Sequence, residues 1–260
     1  MRDLNLPRKY FFVVFITICL FISCKPTVNN LISIQGKNFE ITNENKQVAE
    51  IDSFILPYRK HVQQEMASVL AYNPIDLVKQ TDAMNAPIGN FIAEATFEIA
   101  NPIFFKKTGE NIDFVLLNWG GIRSDLPKGD VTMGSVYSLM PFENKLVIVK
   151  IKGEKINEMA EYLIKAKKPH PLSKQVQLHI TPTSKVKYFT INGKLINSNR
   201  TYWVATSDYL MNGGDGMMFF QNPIDSFEMD YLLRNILIDY FKKIGTVQAE
   251  KDNRFILVED

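Results

Sequence analysis

Two glycine-rich loops hold the side chains whose types and spacing could do chemistry. They are Asn118-Trp119-Gly120-Gly121-Ile122-Arg123-Ser124 and Ser207-Asp208-Tyr209-Leu210-Met211-Asn212-Gly213-Gly214-Asp215-Gly216. Paired glycines after a strand let the backbone approach a ligand closely and turn its amides toward an anion. Arg123 adds a planar, permanently charged fork suited to a phosphate or a ribose edge. A plain glycine turn whose arginine caps a carboxylate accounts for the same residues equally well. Asp215 can accept hydrogen bonds from two vicinal hydroxyls, as on a ribose, and a simple turn is the alternative. Calcium does not fit, because it asks for about six or more oxygens and this loop supplies one carboxylate. Between the loops, Leu139-Met140-Pro141-Phe142-Glu143-Asn144 places an aromatic ring after a proline at a turn. Phe142 and Tyr209 are candidates for the two faces of a base-stacking slot. The ordinary alternative is that each packs in the core.

Other chemistry is poorly represented. The first loop lacks the G-x-G-x-x-G spacing of a dinucleotide fingerprint. The three histidines, His61, His170 and His179, are isolated in the sequence and read as surface or internally satisfied side chains. No set of nucleophile, base and orienting group stands out. No catalytic residue and no metal ligand is therefore assigned in this chain.

The elements that must position these loops alternate along the chain. Ile51, Phe54, Ile55, Tyr58 and Val62 recur at helical spacing, with Pro57 weakening the early part of that helix. Asn85-Ala86-Pro87-Ile88-Gly89-Asn90 reads as a turn feeding a helix, with Pro87 in its first turn. Asp113 to Leu117 reads as a strand running into the first glycine loop. Lys145 to Lys152, Val176 to Ile180, Val186 to Ile191 and Tyr202 to Thr206 read as further strands, with Ile191-Asn192-Gly193-Lys194 as a hairpin turn. Ile156, Met159, Ala160, Leu163 and Ile164 form one helical stripe, and Met229 through Phe241 another, with Asp225 and Glu228 spaced as its cap. Lys165, Lys167 and Lys168 read as a solvated helix end. Helices do not recur between every pair of strands, so the expected class is α+β with a mixed sheet and flanking helices.

The N-terminus has the pattern of an export signal. Arg2, Arg8 and Lys9 precede an apolar run from Tyr10 to Ile22. That run is shorter than the ~20 residues that span a bilayer. Phe21-Ile22-Ser23-Cys24 resembles the lipobox of bacterial lipoproteins, with Phe21 in place of the usual leucine. The expectation is a signal peptide over 1–23, acylation of Cys24, a tether over 24–37 and one domain over 38–260, held at a membrane of the bacterial cell envelope and facing the periplasm. Cys19 leaves with the signal, so no disulfide is expected. Removing Arg2, Arg8, Lys9 and Asp3 turns 30 basic against 28 acidic residues into 27 against 27. That balance argues against a nucleic-acid partner, which needs a clear basic excess.

Taken in order, Asn85 to Asn90, Asn118 to Ser124, Gly129-Asp130-Val131-Thr132, Pro141-Phe142-x-Asn144 and Tyr209-Leu210-x-Asn212-Gly213-Gly214-Asp215-Gly216 resemble the C-terminal, substrate-binding domain of the 5′-nucleotidase family. The resemblance covers most of the chain after the tether. It implies that Phe142 and Tyr209 clamp a base, Asn118 bonds its edge, Asp215 holds the ribose hydroxyls, Arg123 contacts ribose or phosphate, and Gly120 and Gly121 shape the backbone beside them. Two features depart from the family pattern. The stretch Thr81-Asp82-Ala83-Met84-Asn85 lacks an arginine usual there, and Trp119 replaces a small residue. The family also carries a metallophosphatase domain whose Asp-x-His and Gly-Asn-His-Asp/Glu motifs hold two metals, and neither motif occurs in this sequence. The implied function is the nucleotide- or nucleoside-binding half of a split 5′-nucleotidase, with two divalent metals in a separate metallophosphatase chain. The alternatives are a non-catalytic, lipid-anchored nucleoside or nucleotide receptor, and a domain kept for assembly alone.

Overall fold

The structure, a computed structural model, describes residues 8–22, 31–42, 45–46, 48–79 and 83–259. Cys24 and the pair Thr81-Asp82 lie outside the described residues. The chain divides into two units, Met1–Ala49 and Glu50–Asp260. The first contains α1 (Arg8–Ile22). Among the described residues, no helix is long and apolar enough to cross a membrane.

Among the described residues the second unit holds the rest of the secondary structure, α2 beginning at the boundary residue Ala49. In chain order it comprises α2 (Ala49–Met66), β1 (Val69–Asn73), α3 (Pro87–Thr108), β2 (Phe114–Val115), β3 (Gly129–Thr132), α4 (Met133–Leu139), β4 (Lys145–Lys152), α5 (Gly153–Ala166), β5 (Val176–Ile180), β6 (Val186–Ile191), β7 (Lys194–Leu195), β8 (Thr201–Ser207), α6 (Asp208–Met211), β9 (Asp225–Leu232), α7 (Leu233–Ile244) and β10 (Phe255–Leu257). The strands form three sheets, β2-β8-β4-β9, β10-β5-β6-β7 and the pair β1-β3. β2 with β8 and β10 with β5 are parallel, and the remaining pairs are antiparallel. The fold is α+β with mixed sheets, as the sequence predicts.

The first sheet is apolar on both faces and separates two cores. Leu146 and Ile148 of β4, with Trp203 and Ala205 of β8, face a cluster built on α3 and α7. Val147, Val149 and Ile151, with Tyr202 and Val204, face a second cluster built on α5 and β5. That alternation is the period of two expected of a strand buried on both sides. α3 starts with Pro87 in its first turn and ends at Gly109, whose left-handed φ of 75° lets its N–H reach the Phe105 carbonyl. α5 buries Ile156, Met159, Ala160 and Leu163 on one stripe, as predicted.

α2 runs through Pro57, which costs it one backbone donor within the part expected to be weakened. Two expectations need correction. Of the strand expected over Asp113 to Leu117, only Phe114–Val115 enters a ladder. Leu116 still bonds the Ala205 carbonyl, but Leu117 turns to the carbonyl of Pro171. Met229 and Leu232 belong to β9 rather than to the late helix, which begins at Leu233 with no side-chain cap. Asp225 and Glu228 are strand residues, paired with Lys150 and Val147 of β4. Phe227, Met229 and Tyr231 alternate onto the first core, so a period of two wins over the helical reading of the same apolar residues.

Phe104 is fully buried and meets Trp203 and Phe227 edge-on at 5.1 and 5.5 Å. Phe104→Ala should lower unfolding stability by about 3–5 kcal/mol, read as a shift in the urea midpoint at unchanged m-value.

Candidate functional site

Strand register decides where the two loops go. β4 is antiparallel to β8 with Leu146 opposite Ser207, so Phe142, just before β4, lies near Tyr209, just after β8. β2 is parallel to β8 with Val115 beside Ala205, so Asn118 emerges at the same end. The outcome is a cleft of about 280 Å³ lined by Asn118, Gly120, Gly121, Arg123, Phe142, Tyr209 and Asp215, the full set expected from the sequence, together with Asn144.

Asp215 is the most constrained of them. Its backbone is left-handed, with φ 51° and ψ 18°, which is strained for a residue with a Cβ. Four hydrogen bonds hold it there. Asn118 Nδ2 donates to Oδ2 at 2.7 Å and Tyr209 Oη donates to Oδ1 at 2.9 Å. The Asp215 amide donates back to Tyr209 Oη at 3.2 Å, and Tyr162 Oη donates to the Asp215 carbonyl at 2.9 Å. Burial, then the charge of Asp215 and the Tyr209 phenol, pushes the Tyr162 pKa up, which keeps that hydroxyl a donor. The Tyr209 ring lies in the space a Cβ on Gly214 would occupy. Only glycine there lets the ring close onto its own loop.

Arg123 leans over the face of Phe142 with its guanidinium carbon 5.6 Å from the ring centroid. One guanidinium nitrogen lies 3.5 Å from the Gly120 carbonyl. Among the described residues no carboxylate lies within ion-pairing distance of it, so the reading of Arg123 as a carboxylate cap is set aside. Phe142 and Tyr209 are 40% and 44% exposed, which places both rings at the cleft and outside the core. Trp119 turns the other way. Its ring lies against Gly89 of α3 and packs on the first core.

Three supporting roles escaped the sequence reading, which took His170 only as a surface or internally satisfied histidine. Arg234, in the first turn of α7, is only 5% exposed and donates to the carbonyls of Pro141 and Phe142 at 3.2 and 3.4 Å. Its guanidinium also stacks on Tyr137 at 4.2 Å. Tyr162 and His170 lie behind the glycine loops. No local pattern marks any of the three, because each acts on a segment distant in sequence. The other histidines fit expectation. His61 is exposed on α2, and His179 pairs through Nε2 with the Asn253 carbonyl. Among the described residues no group of three or more His, Cys, Asp or Glu could hold a metal ion.

His170 is 7% exposed, and its Nδ1 accepts the Trp119 N–H at 3.1 Å. Burial lowers its pKa to about 4, against an opposing pull from Asp215. The neutral ring is therefore the folded form. Between pH ~6.5 and ~4 the unfolded chain takes up a proton that the folded chain refuses, so the contribution is present above pH ~6.5 and lost as pH falls to ~4. We expect a loss of about 3 kcal/mol from this residue over that window. Urea titrations of the wild type and His170→Asn should show the wild type's acid slope flattened in the variant.

Residues 73–222 match the family described as 5′-nucleotidase, C-terminal domain. The trifunctional nucleotide phosphoesterase protein YfkN of Bacillus subtilis is 27% identical over 229 residues, covering 82% of this chain and 15% of that protein. A 5′-nucleotidase of Vibrio cholerae is 24% identical over 222 residues, covering 82% of this chain and 37% of that one. The crystal structure of a 5′-nucleotidase precursor from Thermus thermophilus superposes with a TM-score of 0.66 at 23% identity, covering 82% of this chain and 44% of the other. The NAD nucleotidase of Haemophilus influenzae gives a TM-score of 0.62 at 16% identity, covering 82% and 42%. These structural likenesses establish the fold, and the chain spans less than half the length of each of these relatives. With the matched segment enclosing the cleft from Asn118 to Asp215, the chain belongs to the 5′-nucleotidase C-terminal domain family.

Proposed function

We propose that this domain binds a nucleotide or nucleoside as the substrate-binding half of a split 5′-nucleotidase, the hydrolytic step being performed by a separate metallophosphatase chain. The observation that carries the reading is the convergence of Asn118, Arg123, Phe142, Tyr209 and Asp215 on one cleft. In it, the base stacks between Phe142 and Tyr209, and the ribose hydroxyls donate to Asp215. Arg123, without an ion-pair partner among the described residues, takes the phosphate or the ribose edge. Two divalent metals are implied by the family, and the described residues do not fit them. In this reading they belong to the partner chain, and no step here is routed through them. Acylation of Cys24 and a periplasmic position complete the proposal, supported by the sequence pattern around that cysteine.

Calorimetric titration of residues 38–260 with adenosine and with AMP tests the binding. AMP should bind more tightly than adenosine through Arg123. Phe142→Ala and Asp215→Ala should each weaken binding by about tenfold, the scale of one lost base stack. Absence of binding to either ligand overturns the proposal. Phosphate release from AMP should appear only when a separately encoded metallophosphatase chain is added. Equal affinity for the two ligands with no phosphate release on mixing supports the non-catalytic receptor instead.

A further inference from the structure

Behind the cleft, two side chains that do not line it join the two glycine loops. His170 lies on the segment after α5, and its Nδ1 accepts the N–H of Trp119, the residue that opens the first loop's short 3₁₀ turn over Trp119–Gly121. Leading N–H groups of such a turn have no partner inside the turn, so this acceptor must come from elsewhere. Tyr162, on α5, lies with its ring centroid 5.6 Å from that of His170. Its hydroxyl donates to the Asp215 carbonyl in the second loop at 2.9 Å. One imidazole therefore holds the first loop, and the phenol packed beside it holds the second.

The choice of histidine at this place is informative. With Nδ1 accepting, the neutral ring carries its proton on Nε2. That atom is buried without a hydrogen-bonded partner, although the Leu117 carbonyl is near enough to favour a proton on the ring. An orphaned buried donor is destabilising. A phenylalanine would fill much the same space without that cost, so packing alone does not account for an imidazole here. What the imidazole supplies is the acceptor for Trp119.

We infer that His170 and Tyr162 are positioning residues for the ligand cleft, fixing the first glycine loop, and with it Arg123, at the right separation from Asp215. The ligand part of this inference rests on the nucleotide reading of the cleft. The ordering of the loops does not.

Amide hydrogen exchange and AMP titration, on His170→Ala, His170→Phe, His170→Asn and Tyr162→Phe, test it. In the ligand-free protein, H170A and H170F should speed exchange at Trp119, Gly121 and Ile122 by about tenfold or more, with β4 unchanged as the control for global folding. H170N, whose amide oxygen falls close to the place of Nδ1, should return these amides toward wild type. Y162F should speed exchange at Asp215 and Gly216. Affinity for AMP should fall about fivefold or more in H170A, H170F and Y162F and recover in H170N, an order that volume alone cannot produce. Wild-type exchange at the first loop in H170F overturns the inference, whatever the ligand does. Faster loop exchange with unchanged AMP affinity in every variant overturns the positioning role and leaves a structural prop. A wild-type protein that binds neither AMP nor adenosine defeats the nucleotide reading separately, while exchange still decides whether His170 and Tyr162 order the loops.

Discussion

β4 and β8 are hydrogen-bonded antiparallel from Leu146 opposite Ser207 to Lys152 opposite Thr201, and both strands are apolar on both faces. A slip of one residue would send every side chain of either strand to the opposite core. The helices on the two sides present different shapes, Phe104 and Phe241 on one face and Met159 and Leu163 on the other, so neither core accepts the other's residues. Register is thereby set by two packed layers at once. The site depends on that register, because Phe142 precedes β4 and Tyr209 follows β8. β2 adds the third segment by pairing parallel to β8.

The charged groups divide by the same logic of burial. Arg254 is 6% exposed and engages Asp252, Glu94 and the Leu172 carbonyl. Arg234 is similarly buried and is committed to the carbonyls that carry Phe142. Both are bound up in structure, since a buried guanidinium without partners would be costly. Arg123 is exposed, with a ring face and one distant carbonyl for company. Of these three arginines it alone keeps its fork available to an anion. The aromatic face beneath it restricts the fork's motion without using its donors.

Much of this was legible in the sequence because the informative segments are local. The loop residues Asn118 to Arg123 and Tyr209 to Asp215 are short-range patterns in which glycine spacing constrains the backbone, and the structure brings them together. β4 was legible as a strand from the run Leu146 to Val149 and Ile151, and the turn from the Asn192-Gly193 pair, both residues of which adopt the positive φ such a turn needs. The failures have one cause. Met229 fits both a helical stripe with Leu232, Leu233 and Ile236 and a strand alternation with Phe227 and Tyr231, and only pairing with β4, far away in the chain, decides between them. Arg234 and His170 support loops through contacts made 92 and 51 residues away in sequence. No window along the chain contains both ends of such a contact. Trp119 illustrates the same limit, since its direction is set by the absence of a side chain at Gly89.

Asp215 shows what the supporting contacts achieve. A left-handed backbone at a residue with a Cβ costs about 1–2 kcal/mol, so the conformation persists only if its surroundings enforce it. Tyr209, Tyr162 and Asn118 do so, from three separate segments. Each carboxylate oxygen accepts one hydrogen bond from these partners, whereas a carboxylate offers about four lone-pair sites in all. Two sites therefore stay open, one on each oxygen, and a vicinal diol can add to both without displacing Asn118 or Tyr209. The ordering of the aspartate is completed on folding, so a ligand need not supply it on binding. The two internal hydrogen bonds act as a brace on the carboxylate and leave its remaining acceptor capacity open.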